Sequence, residues 1–371
     1  MHHEARYIWF DFIRGLSALA VFASHLRNML LVDYAEITHP SPLLRAIYLA
    51  SGLGHQAVMV FFVLSGFFVG GAILTKKDRF SWKHYSLARL SRLYTVLIPA
   101  LLLTLALDTI VAQQAPAALA GAYSETWNSG PDASRPWSIA PLTALGNLLF
   151  LQTIFTPVFG SNSPLWSLAN EFWYYVLFPL IAISVGIVRR GRGARCLSTA
   201  LAALIICLLP SKILIYGIIW LMGVALVLVP ETKIARSLPA RLVTTVVFLA
   251  CLVASKTSIL PPALSDFCVA LTFTLLAYCL KNNHGTIASL IVSPARWLSE
   301  ISYTLYVVHF PCMLALGALL YKGQQLQPTL SGLGHFLCWL IVLFAISALL
   351  WWCFERNTPK VRKLMAKMVR C

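Results

Sequence analysis

Charged residues are scarce in this chain. Only 11% of its 371 residues are Asp, Glu, Lys or Arg, whereas 59% are hydrophobic, and the mean hydropathy is +0.76. A soluble domain usually carries about a quarter charged residues. The sequence also lacks an HExxH motif, a glycine-rich phosphate loop and any cysteine or histidine cluster with the spacing of zinc ligands. We therefore expect a membrane protein that uses neither metal catalysis nor nucleotide hydrolysis.

Acidic residues are the scarcest charged type, with 13 Asp and Glu against 29 Lys and Arg. A net charge of +16 in a soluble protein would suggest nucleic-acid binding. Here the basic residues cluster in short connections between apolar runs, which is typical of cytoplasmic loops in membrane proteins. The clusters lie at residues 76–92, 189–195, 233–241 and 356–370. We expect a lipid bilayer around the protein and no nucleic-acid partner.

Apolar runs recur along nearly the whole chain and predict an all-α, polytopic membrane protein. About ten transmembrane helices, with the N and C termini in the cytoplasm, place every basic cluster on the inner side. The run at 141–155 is short for a crossing, so we interpret it as a re-entrant or interfacial segment. Residues 1–358 would form the transmembrane domain and 359–371 a basic amphipathic cytoplasmic tail. The predicted crossings are 7–31, 55–75, 93–111, 165–188, 196–209, 213–229, 242–254, 264–280, 298–321 and 333–354.

The second predicted helix carries several small residues in the sequence FFVLSGFFVGG. Ser65, Gly66, Gly70 and Gly71 have little or no side chain, so another helix can approach their face closely. We expect a tight helix–helix contact at this position.

The first predicted helix carries two ionisable residues, Arg14 and His25. They are eleven residues apart, so both side chains lie on one stripe, separated by about 16 Å along the axis. Ionisable residues are costly in hydrocarbon and usually face a protein interior or a wet cavity. The pair therefore marks a candidate site. The alternative is that Arg14 pairs locally with Asp11 and that His25 lies among the lipid headgroups.

Arg89 and Arg92 lie three residues apart at the start of the third predicted helix, and they therefore share one helical face. Two neighbouring guanidinium groups suit phosphate oxygens, because they offer several oriented donors. The alternative interpretation is that both residues are ordinary cytoplasmic anchors.

Two later stretches also place polar groups at membrane depth. Glu171 lies one to two turns inside its helix among Trp and Tyr residues of the kind found at membrane interfaces, and a carboxylate there needs a partner or a function. In residues 301–311, Tyr306 and His309 are one turn apart, and Ser302 shares a face with Tyr306. For His309, a hydrogen-bonded structural role is the simpler interpretation.

Five motifs follow one another along nearly the whole chain. They are R-x10-H at 14–25, FFVLSGF at 61–67, RLSRLY at 89–94, WSLANEFWYY at 166–175 and ISYTLYVVHFP at 301–311. Together with about ten helices, this order resembles the acyltransferase-3 family of bacterial inner-membrane O-acyltransferases. The resemblance implies transfer of an acyl group, usually acetyl from acetyl-CoA, to a hydroxyl of a glycan or glycoside. It also implies a location in the bacterial inner membrane.

The resemblance suggests catalytic roles for three residues. His25 would be the general base that takes the proton from a sugar hydroxyl, and an acyl-histidine intermediate is the alternative to direct attack. Arg14 would orient the donor or offset negative charge near the thioester. Glu171 would contact the acceptor or hold the tautomer of His25.

Binding roles follow from the same resemblance. Arg89 and Arg92, together with Lys83, would bind the phosphates of acyl-CoA at the cytoplasmic side. We expect acyl-CoA as a co-substrate, no permanently bound cofactor and no metal. Acceptor-binding or supporting residues would be Trp166, Ser167, Tyr174, Ser302, Tyr306 and His309.

A different class of function is also compatible with intramembrane Arg, His and Glu residues, namely a proton-coupled transporter or a flippase of a sugar-containing substrate. The sequence shows neither an inverted repeat nor paired broken helices, which transporters often have. A membrane scaffold without chemistry would explain the helices but not the stripe of Arg14 and His25. These alternatives differ in whether the thioester is cleaved.

Overall fold

A computed structural model of the chain describes residues 7–132, 134, 136–257, 259–281 and 286–368, with the backbone alone for 286–291. The described part is helical throughout and contains no β-strand. Residues 1–6 of the predicted transmembrane domain and 369–371 of the predicted tail, including Arg370, lie outside it. The helices are α1 (Ile8–Leu30), α2 (Pro42–Ala50), α3 (Gly54–Thr75), α4 (Trp82–Gln114), α5 (Pro116–Leu119), α6 (Ser124–Trp127), α7 (Pro141–Leu148), α8 (Leu165–Ser184), α9 (Arg192–Leu208), α10 (Ser211–Leu228), α11 (Leu238–Ala254), α12 (Pro262–Leu280), α13 (Thr286–Leu319), α14 (Leu330–Cys353) and α15 (Thr358–Met368).

Each apolar run that was predicted to cross the membrane coincides with one of these helices, which confirms the all-α architecture. Within the described residues, six segments are long and apolar enough to span a bilayer. The number of about ten crossings and the cytoplasmic position of both termini stay predictions. The six segments are Gly54–Thr75, Trp82–Gln114, Ser211–Leu228, Pro262–Leu280, Val292–Leu319 and Leu330–Met368.

The third predicted helix begins much earlier than its apolar run suggests. Helix α4 starts at Trp82 and is 33 residues long, whereas the apolar run starts at residue 93. The segment between them is basic, but Leu, Ala and Arg are good helix formers, so the helix extends through it. Arg89 and Arg92 therefore lie on a regular helix, three residues apart, as their spacing predicted.

The segment at 141–155 contains only the eight-residue helix α7, after which the chain continues in turns. Phe150 and Thr153 have positive φ angles of 57° and 65°, which interrupt any helix. Eight residues of helix extend about 12 Å, less than half of the hydrocarbon thickness of a bilayer. The helix is thus too short to cross alone, and the re-entrant or interfacial position stays a prediction.

The chain forms two compact units, each built from separate stretches of sequence. The first unit contains Met1–Ser17, His55–Ser81 and Asn170–Ser299. The second unit contains Ala18–Gly54, Trp82–Ala169 and Glu300–Cys371. Arg14 and Glu171 consequently belong to the first unit, and His25, Arg89 and His309 belong to the second.

Glycines hold the core of the first unit together. A Cβ atom on Gly66 would lie 1.9 Å from the carbonyl oxygen of Trp220, and one on Gly223 would lie 1.8 Å from that of Val63. Only glycine allows two backbones to approach so closely. This contact between α3 and α10 confirms the small-residue face predicted from the sequence. It coincides with a wide π-helical turn in α3 at Gly66–Gly70.

A buried carboxylate organises the core of the second unit. Asp108 on α4 is fully buried and accepts hydrogen bonds from Trp137 Nε1 at 2.9 Å and from the backbone N and Oγ of Ser161, both at 2.7 Å. Three donors satisfy the carboxylate in the interior. One residue further on, Asn162 Nδ2 donates to the carbonyl oxygen of Val307 at 2.9 Å. The segment before α8 is thereby fixed to both α4 and α13.

A second buried carboxylate sets the direction of the C-terminal helix. Glu355 Oε2 accepts hydrogen bonds from the backbone N of Thr304 at 3.1 Å and from its Oγ1 at 2.6 Å. Helix α15 begins three residues later and packs against the first turns of α4. Glu355 thus fixes the start of the tail within the second unit.

Candidate active site

Two histidines meet inside the second unit. The ring centroids of His25 on α1 and His309 on α13 are 5.3 Å apart, and the ring of Phe310 lies edge-on to His25 at 5.2 Å. The two histidines are far apart in sequence, and each was singled out there from its own helix. The structure brings them together, with His309 buried and His25 partly exposed.

His309 is almost completely buried, with 1% of its surface exposed. Its Nδ1 lies 2.9 Å from the carbonyl oxygen of Leu305, which can only accept, so Nδ1 carries the hydrogen. Its Nε2 is then an unprotonated acceptor, and it has no hydrogen-bond partner among the described residues. A buried polar atom without a partner is unusual and needs an explanation. The simpler structural interpretation of His309 accounts for Nδ1 but not for Nε2.

Ser129 sets the position of the hydrogen on His25 through its own hydrogen bonds. Ser129 Oγ donates to the carbonyl oxygen of Trp127 at 3.2 Å and lies 3.4 Å from His25 Nδ1. Because the hydroxyl hydrogen is used on Trp127, the oxygen is left to accept from a hydrogen on Nδ1. That tautomer leaves the lone pair of His25 on Nε2. Ser129 thus provides a partner for His25 without any contribution from Glu171.

The loop that carries Ser129 is held in place by its turn geometry. Asn128 adopts a left-handed conformation with φ of 51°, and Gly130 has φ of 96°. The position of a Cβ on Gly130 would be 3.6 Å from the ring of Phe310, so the loop lies directly on α13. The sequence signal for this loop is the turn-forming run Asn-Ser-Gly, which identifies a turn but not its partner.

Other predicted site residues lie near the histidines. Ser167 Oγ and the hydroxyl of Tyr306 are 2.6 Å apart, and the rings of Tyr306 and His309 are 6.1 Å apart. Ser302 is buried on α13, and Trp166 on α8 is partly exposed. Ser167, Tyr306 and His309 therefore form one cluster in the second unit.

Tyr174 belongs to the first unit, where its hydroxyl donates to the carbonyl oxygen of Ile213 at 2.6 Å. This hydrogen bond ties α8 to the start of α10, and the ring is buried. Its contacts are those of a structural residue.

Arg14 has local partners in the first unit. Its Nη1 lies 3.8 Å from Asp11 Oδ1 and donates to Ser299 Oγ at 3.3 Å, while Ser299 Oγ donates to Asp11 at 2.9 Å. The guanidinium also lies over the ring of Phe68, 4.5 Å from its centroid. The local pairing with Asp11, which the sequence left as an alternative, is therefore present.

Glu171 ends a chain of hydrogen bonds in the first unit. Its Oε2 accepts from the Tyr175 hydroxyl at 3.0 Å, the Tyr175 oxygen is 3.1 Å from Ser65 Oγ, and Ser65 Oγ accepts from Trp220 Nε1 at 3.1 Å. All hydrogens can point along the chain toward the carboxylate, which supports its negative charge. Glu171 is thus well partnered within the first unit.

The predicted donor-binding residues line a cavity of about 550 Å³ in the second unit. Lys83, Arg89 and Arg92 come from the first turns of α4, and the other wall is the tail helix α15. Two tail residues, Arg362 and Lys363, bring the lysine and arginine side chains around the cavity to five, and His84 also lines it. None of the lining residues is acidic. Sequence reasoning missed the two tail residues because it assigned the tail to the membrane surface.

A metal site has no support in the described residues, which contain no group of three or more His, Cys, Asp or Glu side chains suited to hold a metal ion. The histidine pair is accompanied by Ser129 rather than by further ligands. The arrangement offers two imidazole nitrogens that can accept a proton, which suits proton transfer.

The fold and these sites define a helical membrane protein with a histidine-centred interior and a separate basic cavity. A family model for an acyltransferase domain, that of acyltransferase-3, matches residues 7–354, and the chain belongs to this family. Comparison with curated proteins and with solved structures gave no match. The family match confirms the resemblance seen in the motifs and indicates a multi-pass membrane protein of the acyltransferase type.

Proposed function

We propose that the protein is a membrane O-acyltransferase that moves an acyl group, acetyl in the first instance, from cytoplasmic acyl-CoA to a hydroxyl of a glycan or glycoside. The observation that carries this proposal is the pair of His25 and His309, held in the interior of a chain that belongs to an acyltransferase family. On this proposal the location is the bacterial inner membrane.

His25 acts as the general base. With its Nδ1 hydrogen directed to Ser129, its Nε2 takes the proton of the acceptor hydroxyl while the hydroxyl oxygen attacks the thioester carbonyl carbon. The tetrahedral intermediate then collapses, the carbon–sulfur bond breaks, and the CoA thiolate leaves. The proton on His25 passes to the thiolate, which restores the neutral imidazole. Atoms and charges balance without a covalent enzyme intermediate.

His309 is a positioning residue in this scheme. Its Nε2 and the Nε2 of His25 are both acceptors, so neither can satisfy the other. An incoming hydroxyl supplies the hydrogen that this pair lacks. The unpartnered Nε2 of His309 can thus accept a hydrogen bond from the substrate hydroxyl or from the protonated form of His25.

The remaining residues bind the two substrates. Arg89, Arg92 and Lys83 hold the phosphates of acyl-CoA in the basic cavity. Arg14 is paired with Asp11 and still contributes positive charge toward the donor. Glu171 contacts the acceptor by accepting hydrogen bonds from the acceptor's hydroxyl groups. Residues proposed to contact the acceptor are Trp166, Ser167, Ser302 and Tyr306. Tyr174 would have a supporting role, because its hydrogen bond holds α8 to the start of α10.

The test is cleavage of a labelled thioester. Detergent-solubilised protein is incubated with labelled acetyl-CoA and a mixture of methyl glycosides, and both free CoA thiol and labelled glycoside are measured. We expect both products from the wild-type protein and a loss of about 100-fold or more in His25→Ala, since general-base catalysis contributes roughly that much. His39→Ala, which removes an exposed histidine from a loop, is the matched control and should keep full activity.

Two results would contradict the proposal. If His25→Ala retained turnover at equal protein level, the general-base assignment would be wrong. If the wild-type protein bound or moved a glycoside but left the thioester intact, a carrier would be the better description.

A further inference from the structure

Helix α15 forms one wall of the basic cavity, although it lies outside the residues matched by the family. The family match ends at residue 354, and α15 covers Thr358–Met368. Arg362 and Lys363 on this helix line the same cavity as Arg89 and Arg92 on α4. The second wall therefore comes from residues beyond the matched segment.

The tail helix presents two different faces. Pro359, Arg362, Lys363 and Ala366 recur at helical spacing on the face that lines the cavity. The apolar side chains of Val361, Leu364, Met365 and Met368 lie on the opposite face, and those of Leu364 and Met368 are 60% and 69% exposed. A helix with this pattern can rest on lipid with one face while the other face serves the cavity.

The cavity is built for an anion with several charges. Five lysine and arginine side chains surround it without an acidic one, and its volume of about 550 Å³ is typical of small-molecule sites. In addition, Arg89 Nε is buried and has no hydrogen-bond partner among the described residues. A buried donor of this kind is normally satisfied, so a ligand with acceptor oxygens would complete the site.

We propose that α15 is the second half of the acyl-CoA site, in which Arg362 and Lys363 bind phosphates of the nucleotide end opposite Arg89 and Arg92. This assignment rests on the proposed function for the identity of the donor. The phosphates of coenzyme A lie at one end of the molecule, away from the thioester. The tail would therefore act on donor affinity and leave the chemical step to the histidines.

The experiment measures binding of 3′,5′-ADP, a probe that carries phosphates of the nucleotide end but no thioester, to the purified full-length protein by calorimetry. We expect the double variant Arg362→Ala/Lys363→Ala to raise the Kd about tenfold, because two charge-assisted contacts are lost. It should also raise the KM for acetyl-CoA by a similar factor and leave kcat unchanged. Acetylpantetheine, which lacks the nucleotide, should show no change in KM.

The tail offers a matched control. Lys360→Ala/Lys367→Ala removes the same charge from exposed positions of the same helix that do not line the cavity, and it should change the Kd less than twofold. Arg362→Lys/Lys363→Arg keeps both charges and should bind nearly as the wild type, which separates lost charge from a misfolded tail.

Each outcome decides the assignment. An unchanged Kd in Arg362→Ala/Lys363→Ala, or no 3′,5′-ADP binding by the wild type, would overturn it. A second contradicting result is a Kd that changes with the phosphatidylglycerol content of the nanodisc but not with the Arg362 and Lys363 substitutions. That result would assign the cavity to lipid headgroups and overturn the acyl-CoA assignment. If the probe binds as expected but no thioester is cleaved, the tail assignment stands and the proposed reaction fails.

Discussion

The second unit contains two sites of opposite character, the histidine pair and the basic cavity. His309 is buried beside the partly exposed His25, and Nε2 of His309 has no hydrogen-bond partner among the described residues. The cavity between α4 and α15 is lined by five lysine and arginine side chains, of which only Arg89 is less than largely exposed. A buried polar atom such as Nε2 of His309 acts in surroundings of low dielectric constant, whereas exposed charges are screened by water and salt. The two sites should therefore control different kinetic constants.

Apart from His25, the residue of the histidine pair whose substitution should have the largest effect is His309. His309→Ala removes the buried acceptor, and we expect kcat to fall about 100-fold while the KM for acetyl-CoA stays within threefold. Steady-state kinetics would measure both constants, with a thermal unfolding midpoint to detect loss of the fold. A folded His309→Ala protein with normal kcat would show that its Nε2 has no part in the reaction.

On the cavity side, the charge-reversal variant Arg89→Glu/Arg92→Glu should raise the KM for acetyl-CoA at least tenfold, because it replaces attraction for phosphates by repulsion. The KM for the acceptor should not change. Initial rates with each substrate varied in turn would measure this split. A change confined to the acceptor would mean that this cavity does not bind the donor, and the contrast between the two sites would disappear.

A smaller effect is expected at Ser129. Ser129→Ala removes the acceptor for the Nδ1 hydrogen of His25, so a fraction of the imidazole takes the wrong tautomer and kcat falls about fivefold. Ser129→Thr keeps the hydroxyl and serves as the control. Equal kcat in Ser129→Ala and wild type would mean that another group sets the tautomer.

The smallest effect is expected at the other arginine cluster, at 189–195. Arg189 and Arg192 are exposed and do not line the cavity. Arg189→Ala/Arg192→Ala should change the KM for acetyl-CoA less than twofold. A tenfold change would show that net positive charge, rather than the cavity, sets donor affinity.

The sequence predicted the helices well because long apolar runs have few alternative structures. It did not predict α2, although Ser41 accepts a hydrogen bond from Leu44 N as an N-cap and Pro42 occupies the first turn. That combination is a recognised helix start, so the sequence contains the signal. The helix was not predicted because its nine residues are too few to form an apolar run of spanning length.

The candidate sites were predictable only in part. The spacing of Arg14 and His25 predicted that one helix carries both, and α1 does so. The contact of His25 with Ser129, across 104 positions of sequence, could not be predicted, because no periodic pattern encodes which loop lies on a given helix. The contacts of the tail could not be predicted either. Its amphipathic pattern identifies an apolar face, but it does not show what the opposite face, which carries Arg362 and Lys363, contacts.

The basic cavity combines a wall inside the family-matched residues with a wall outside them. On the proposed assignment, donor affinity depends on both walls, whereas the chemistry of transfer depends only on histidines inside the matched residues. Changes in the 11 residues of α15 could then raise or lower the affinity for acyl-CoA without altering the histidines.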